Sequence, residues 1–303
     1  MPDNLPQAAR TWLPRLLLLN LIVEVGIVVT GGLVRLTGSG LGCPTWPECV
    51  PGSYVPTVEQ EEGIHKLIEF GNRTLTGLLG FVALALLVAL YRWARDRREL
   101  VVGTWVVVAG ILAQAIVGGV TVRTGLNPWI VAFHFLCSMG LIAVSAWLYW
   151  RQRQPSGATR SLLHPLVARL QWLLVAVAAV VLVLGTIVTG SGPHSGDADT
   201  PARTGFDPRT ISWLHADAVM LFVGICVAVW LGAKLTQRTA GPARAWWVVL
   251  WVTLAQGLVG YVQYLTKLPE VLVLAHMLGA SLLVVAITRA IVLSRTPDTL
   301  PAD

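Results

Sequence analysis

Two segments of this chain are copies of one another: LAQAIVGGVTVRTGLNPWIVAFH (112–134) aligns without a gap with LAQGLVGYVQYLTKLPEVLVLAH (254–276). Both begin with Leu-Ala-Gln, have Val-Gly at the sixth and seventh positions, and end in histidine, His134 and His276. In each copy a short turn with a proline separates two apolar runs, which is typical of a helical hairpin. The chain is therefore predicted to contain two tandem halves of similar structure.

The hairpins belong to a series of apolar stretches that runs the length of the chain. A helix needs about 20 such residues to cross a bilayer, and eight stretches qualify: 14–34, 66–91, 101–121, 130–150, 166–189, 210–233, 243–263 and 269–293. The chain is 55% hydrophobic and 13% charged, with a mean hydropathy of +0.68, values that soluble domains rarely reach. We predict an all-α integral membrane protein with eight transmembrane helices. A β-barrel is excluded because its strands alternate in polarity.

Four helices in each half give the two repeats the same orientation, which predicts a pseudo-two-fold axis along the membrane normal. VVTGGLVRLTGSG (28–40) loosely resembles IVTGSGPHSGD (187–197), which extends the repeat to the first helix of each half. The linker QRQPSGATRSLLH (152–164) is polar and contains Pro and Gly, as expected of a boundary. We therefore predict two four-helix bundles, at residues 1–155 and 156–303.

The net charge of +6 reflects topology and not a nucleic-acid site. Fifteen of the 22 Lys and Arg residues lie at the termini and in the even-numbered connections, and seven lie near the opposite helix ends. The positive-inside rule then places both termini in the cytoplasm. Cys43 and Cys49 fall in the first outer loop, on an oxidising face, so we expect a disulfide between them. A structural role is favoured for it, and a redox role stays open.

Histidines at the outer helix ends are the main chemical feature of the sequence, because ionisable residues in membrane spans are costly. His215 and His276 lie near the starts of the sixth and eighth helices, which run in the same direction. Two imidazoles facing each other across a bundle can form an axial pair for haem iron, and we expect Gly279 and Ala280 to leave room for the macrocycle. The alternatives are local hydrogen bonding, and zinc, for which further ligands are missing nearby.

Transferring the positions of His215 and His276 to the first half through the repeat predicts an asymmetric site. His276 corresponds to His134, whereas His215 corresponds to Arg73 or Asn72 and not to His65. The intervals are nearly equal, 62 residues from 72 to 134 and 61 from 215 to 276, so we expect the ligand position at Asn72. His65 shares the helix face of Asn72 but lies seven residues earlier, about two turns further out. We expect His134 as the firm ligand, with Asn72 or His65 on the other side. Weak coordination suits a substrate, whereas two histidines suit a permanent cofactor.

Glu69 lies three residues before Asn72 and therefore on the same helix face. A desolvated carboxylate there could accept a proton or stabilise developing positive charge. The alternative is an ion pair with Lys66 or Arg73. The equivalent position in the other half is near Ser212, so the repeats predict chemistry in the first half and electron relay in the second.

The sequence resembles the haem A synthase family of bacteria and mitochondria. The resemblance rests on GGLVRLTGSGLGCPTWPEC (31–49), IEFGNR (68–73), the two Leu-Ala-Gln…His segments, and GTIVTGSGPHSGD (185–197) followed by SWLHADAV (212–219). It implies oxidation of the C8 methyl group of haem O to a formyl group by successive hydroxylations, which gives haem A for terminal oxidases. It also implies a bacterial cell membrane, a lipid environment, haem O synthase as upstream partner and a further electron acceptor.

The resemblance assigns roles to individual positions. It implies a haem b between His215 and His276, the reacting haem between Asn72 and His134, and an essential glutamate at Glu69. Here the family's Glu-x-x-His motif reads Glu-x-x-Asn, so the first ligand of the reacting haem is absent.

Other positions follow from the resemblance with less detail. It places the external cysteine pair at Cys43 and Cys49, whereas the third outer loop here has no cysteine for a second disulfide. From their position at the outer surface, Arg35, Arg123 and Arg203 are expected to pair with haem propionates or to anchor the helices at the interface.

Two other functions compete with this one. A dihaem electron-transfer cytochrome, of quinone or ferric reductase type, would keep the histidine pairs without needing Glu69. A small-solute transporter would place broken helices and polar residues at the midplane, whereas here they cluster at the outer ends. His164 and His194 are expected to be solvated or locally hydrogen-bonded, with a role near the haem as the alternative for His194.

Overall fold

The computed structural model describes residues 6–197, 201–236 and 240–298. Within these ranges the chain forms eight long helices: α1 Gln7–Leu36, α2 His65–Trp93, α3 Arg98–Arg123, α4 Pro128–Arg151, α5 Pro165–Ser191, α6 Pro208–Thr236, α7 Ala240–Leu265 and α8 Glu270–Leu293. All eight are long and apolar enough to cross a membrane. Each coincides with one apolar stretch of the sequence, so the predicted all-α, eight-helix transmembrane fold is confirmed.

Local side-chain caps fix where α4 and α5 begin. Each helix starts with proline, whose missing N–H costs nothing at the first helical position. The side chain of Asn127 accepts a hydrogen bond of 3.0 Å from the N–H of Trp129, and Nδ1 of His164 accepts one of 3.4 Å from Leu166. His164 is therefore locally hydrogen-bonded, as predicted.

The helices pack in two groups of four. α1 contacts α2 and α4, and α3 contacts the same two helices, so α2 and α4 lie diagonally opposite each other. In the same way α5 and α7 each contact α6 and α8. Separate hydrophobic clusters fill the two groups. The pseudo-two-fold axis and the boundary near residue 155 remain predictions.

A central interface joins the two groups, formed by α1 and α4 against α8 and by α4 against α5. Its buried core consists of Leu21, Val28, Met139, Ile142 and Ala146. Gly32 lets α1 approach α8 closely, because a Cβ there would lie 2.8 Å from the sulfur of Met277. The residue that follows His276 thus packs directly against the first helix.

The two ends of the bundle differ in chemistry. The helices α2, α4, α6 and α8 all begin at one end, here called the histidine end, because successive helices alternate in direction. At the opposite end, strand β1 (Thr159–Ser161) in the linker pairs antiparallel with β2 (Arg295–Pro297). This short sheet ties the linker to the end of α8.

Candidate functional site

His215 and His276 occupy matched depths at the histidine end. His215 is the eighth residue of α6 and His276 the seventh of α8. Nδ1 of His276 and Nδ1 of His215 are both buried without a hydrogen-bond partner.

Two glycines leave space against these imidazoles. A Cβ added to Gly185 of α5 would lie 3.2 Å from Cε1 of His215, and one added to Gly260 of α7 would lie 3.3 Å from Cε1 of His276. Both distances are tighter than ordinary van der Waals contact. Any larger residue would push the imidazole away from the helix behind it, so the glycines set where each ring stands.

A glutamine fixes the backbone of the α8 histidine. Nε2 of Gln256 donates a hydrogen bond of 2.7 Å to the carbonyl oxygen of His276. The expectation that Gly279 makes room for a macrocycle is wrong, because a Cβ at Gly279 would overlap Oε1 of Gln256. The missing side chain is needed for helix packing between α7 and α8.

The same device recurs between α3 and α4. Nε2 of Gln114 donates to the carbonyl of His134 at 2.8 Å and to Oγ of Ser138 at 2.6 Å. A Cβ on Gly118 would lie 3.6 Å from Cε1 of His134, and Nδ1 of His134 is buried and unpartnered. These contacts explain the Gln and Gly of the repeated Leu-Ala-Gln…Val-Gly…His pattern. This role of the glutamine was not predicted, although its recurrence at one repeat position is visible in the sequence.

Asn72 stands where the repeat places it. It is the eighth residue of α2, as His215 is of α6, and His134 is the seventh of α4, as His276 is of α8. Oδ1 of Asn72 accepts a hydrogen bond of 2.8 Å from Oγ1 of Thr30 in α1. The amide is thus oriented by α1.

His65 lies in a different environment. It is the first residue of α2 and is exposed, and its Nδ1 shares a hydrogen bond of 2.8 Å with Oγ of Ser39. A Cβ on Gly42 would overlap the His65 carbonyl, so the loop after α1 packs closely on the start of α2.

Glu69 is buried and fully engaged in polar contacts. It is 5% exposed. Its Oε2 accepts from the backbone N–H of Cys43 at 2.5 Å, and its Oε1 accepts from Nε and Nη2 of Arg73 at 2.9 and 2.5 Å. Arg73 also donates to the carbonyl oxygens of Cys43 and Thr45. Glu69 therefore forms an ion pair with Arg73, one of the two candidate partners, and each of the two side chains also binds α2 to the first loop.

Lys66, the other candidate partner of Glu69, points elsewhere: its Nζ donates to the carbonyl oxygen of Thr57 at 2.6 Å. The loop that Glu69 binds is closed by a disulfide between Cys43 and Cys49, as predicted. Gln60 supports this loop from the other side, because its Nε2 donates to the carbonyl of Gly42 at 2.6 Å.

Comparison with known proteins identifies the family of this fold and site. The sequence profile described as cytochrome oxidase assembly protein matches residues 14–288, nearly the whole chain. The chain belongs to the cytochrome oxidase assembly protein family.

Individual relatives carry a more specific name. A protein named Heme A synthase from Lysinibacillus sphaericus is 27% identical over 273 residues, which cover 85% of this chain and 87% of that relative. Proteins of the same name from Alkalihalophilus pseudofirmus and Listeria welshimeri are 33% and 30% identical over 135 and 136 residues, covering 43% of this chain and 44% of each relative.

The arginines at the histidine end of this cytochrome oxidase assembly protein family member contact backbone carbonyls. Nε of Arg35 donates to the carbonyl of His194 at 2.8 Å, and Nη2 of Arg123 donates to that of Trp46 at 3.0 Å. Arg203 is exposed in the loop before α6. Propionate binding by any of them remains a prediction.

His194 helps to hold the loop after α5 in place. Its Nε2 lies 3.2 Å from the carbonyl oxygen of Leu268. Burial lowers the pKa of its imidazole, and Arg35 lowers that pKa further, whereas Glu270 raises it. His194 thus links the loop after α5 to the turn before α8, the helix that carries His276.

The residues present fit a haem better than another metal group. Single imidazoles stand on diagonally opposed helices, their Nδ1 atoms buried and unpartnered, and glycines back the rings. Across the described ranges, no three His, Cys, Asp or Glu side chains converge on one point. His215 and His276 can provide the two imidazoles of a bis-histidine haem, whereas α2 and α4 supply one imidazole and one amide.

Proposed function

We propose that this chain is a haem A synthase, an oxidoreductase that oxidises the C8 methyl group of haem O to a formyl group by successive hydroxylations. The proposal rests on the position of Asn72. It occupies in α2 the position that His215 occupies in α6, so the otherwise matched sites differ in one axial donor. A site with one firm ligand can bind and release a haem substrate, whereas a site with two retains a cofactor.

The two predicted halves then divide the work. Residues 156–303 hold a haem b between His215 and His276, and residues 1–155 hold haem O against His134, with Asn72 or His65 on its other face. A bound haem supplies one-electron redox chemistry. The protein sets the position of each ring through the Gln–carbonyl bonds and the glycines behind the imidazoles.

Glu69 contributes a fixed negative charge to the reacting side. Its hydrogen bonds come from donors, the N–H of Cys43 and the guanidinium of Arg73, and donors stabilise a carboxylate in its ionised form. This favours stabilisation of developing positive charge over proton abstraction, which would require the carboxylate to give up one of these bonds.

The histidine end faces the outside of a bacterial cell membrane, and both termini face the cytoplasm. Two observations support this orientation: the Lys and Arg distribution, and the disulfide at the histidine end, since disulfides form on oxidising faces. Haem O synthase supplies the substrate from the same membrane, and an electron acceptor removes the electrons of each oxidation.

Expression with haem O synthase, followed by pigment extraction, tests the proposal. Haem A, or hydroxylated haem O, is expected together with bound haem b. Bound haem b without either product would refute the synthase activity and favour the dihaem electron-transfer cytochrome.

Glu69→Gln and Arg73→Gln, assayed as a pair, separate chemistry from loop positioning. Both break the ion pair, but only Arg73→Gln keeps the carboxylate. Haem A production that survives in Arg73→Gln and is lost in Glu69→Gln would support a direct role of the charge. Equal losses in both would assign Glu69 to positioning of the loop.

A further inference from the structure

α1 carries a carboxyl group in the middle of its span that the proposed chemistry does not use. Glu24 is 2% exposed, and Asn20, one helical turn away, is 1% exposed. Nδ2 of Asn20 donates a hydrogen bond of 2.9 Å to Oγ of Ser145 in α4. Ionisable side chains at this depth are costly and are functional candidates by default.

Two acceptor atoms of this group have no donor. Oε1 of Glu24 and Oδ1 of Asn20 are both buried and have no hydrogen-bond partner. Within the described ranges Glu24 has no ion-pair partner either. The helices packed against α1 carry other ionisable groups, which are His65, Lys66, Glu69, Arg73, Tyr91 and Arg92 on α2, His134, Cys137, Tyr149 and Arg151 on α4, and Glu270, His276 and Arg289 on α8.

A single proton on Glu24 can satisfy both of these acceptor atoms. An ionised Glu24 would be a buried charge without an ion-pair partner among the described residues, one helical turn from a second unpaired acceptor, which is strongly unfavourable. A neutral carboxyl can instead donate its O–H to Oδ1 of Asn20, since residues four apart share a helix face. We propose that Glu24 and Asn20 form a proton-binding site in the central interface, with Glu24 as a neutral acid that releases its proton to bulk water when a neighbouring haem is oxidised and takes it back from bulk water when that haem is reduced.

The location of the site supports this coupling, and this part of the inference rests on the proposed haem function. Glu24 lies between Leu21 and Val28 on the face of α1 that packs in the central interface. Thr30, which holds Asn72, is six residues further along the same helix, roughly 9 Å towards the histidine end. The helices of the central interface also carry His134 and His276. A change of charge at either ring therefore acts on Glu24 through a low-dielectric interior.

The competing role for Glu24 is helix adhesion, since polar side chains hydrogen-bond helices together in membranes. Glu24→Gln separates the two roles. The glutamine amide can donate to Oδ1 of Asn20 as the neutral acid does, so adhesion is retained, but it has no exchangeable acid proton. Glu59→Gln, which removes an exposed loop carboxylate, is the matched control.

Infrared spectroscopy of the full-length protein tests the protonation state independently of haem A formation. The spectrum of the wild type minus that of Glu24→Gln should contain a protonated-carboxyl carbonyl band at neutral pH that shifts in D2O. The corresponding difference for Glu59→Gln should contain carboxylate bands instead. Carboxylate bands in the Glu24 difference would overturn the proposal.

Redox-induced infrared difference spectra of the haem b-loaded protein test the coupling. The carboxyl band should change on reduction in the wild type and be absent in Glu24→Gln, and the haem midpoint potential should depend less on pH in the variant. The coupling is refuted if the haem midpoint potential depends on pH equally in the wild type and in Glu24→Gln and the carboxyl band does not change on reduction. Glu24 would then serve only to hold the helices together. If no haem A is produced but these signatures persist, the proposed synthase activity fails while the proton site stands.

Discussion

Breaking the Glu69–Arg73 pair should cost stability that a double-mutant cycle can isolate. Oε1 of Glu69 accepts two hydrogen bonds from Arg73, at 2.9 and 2.5 Å, and the side chains are 7% and 22% exposed. Exposed ion pairs contribute about 0.2–1 kcal/mol, and truncation of a buried pair costs about 3–5 kcal/mol. Because this pair is nearly but not fully buried, we expect a coupling energy of about 2 kcal/mol.

The assay is equilibrium unfolding in detergent micelles of four proteins: the wild type, Glu69→Gln, Arg73→Gln and the double variant. Each single variant should lose more stability than the coupling alone, because each also loses contacts to the first loop, those of Arg73 reaching the carbonyls of Cys43 and Thr45. Independent sites add to within about 0.3–0.5 kcal/mol. A coupling energy inside that range would refute the expected interaction between Glu69 and Arg73.

Three further predictions follow from the geometry around the histidines. Gly260→Ala should shift the midpoint potential of the haem held by His276, because the new Cβ would lie 3.3 Å from the ring, whereas Gly118→Ala, at 3.6 Å, should leave the first site unchanged; equal shifts in both would contradict this. Gln256→Leu removes the hydrogen bond to the His276 carbonyl and should lower the free energy of unfolding by about 0.5–1.5 kcal/mol. It should also alter the low-spin EPR spectrum of the bound haem, and an unaltered spectrum would argue against a positioning role of Gln256. Because burial lowers the pKa of His194 from 6.5, the folded state binds fewer protons than the unfolded chain, and stability should fall as pH drops below about 6.5; thermal unfolding of His194→Gln should show a smaller acid loss.

The spacing of the histidines in the two repeats shows how much of the site can be predicted from the sequence. The repeat assigned equivalent positions to Asn72 and His215, and the helices place both as eighth residues. This worked because the interval between the two positions is nearly the same in each half, 62 residues from 72 to 134 and 61 from 215 to 276, and because a position along a helix is a local property. The repeat spacing does not determine whether His65 or Asn72 binds a haem, since that depends on how the loop after α1 packs.

Side-chain partners were less accessible to sequence reasoning. Arg73 and Lys66 were equal candidates for the ion-pair partner of Glu69. In the folded loop the carbonyl of Thr57 accepts a hydrogen bond from Lys66. The carbonyls of Cys43 and Thr45 accept hydrogen bonds from Arg73, the cation that pairs with Glu69. Gly279 was assigned to the cofactor, but it accommodates Gln256. The first-helix carboxylate Glu24 did not emerge from the sequence, because its burial results from the packing of α1 on α4 and α8.

The sequence alone was sufficient for the number of helices, for the internal repeat, for the position of each histidine along its helix, and for the helix boundaries to within three residues, except that α1 begins seven residues before the predicted stretch. These depend on hydrophobic length and on the fixed rise of a helix, and both are properties of short segments. The tertiary structure decided which atoms satisfy Glu69, why glutamine and glycine recur beside the histidines, and which polar groups remain buried without partners. Those outcomes depend on which helix faces meet, and residues distant in the chain determine that only when the bundle is packed.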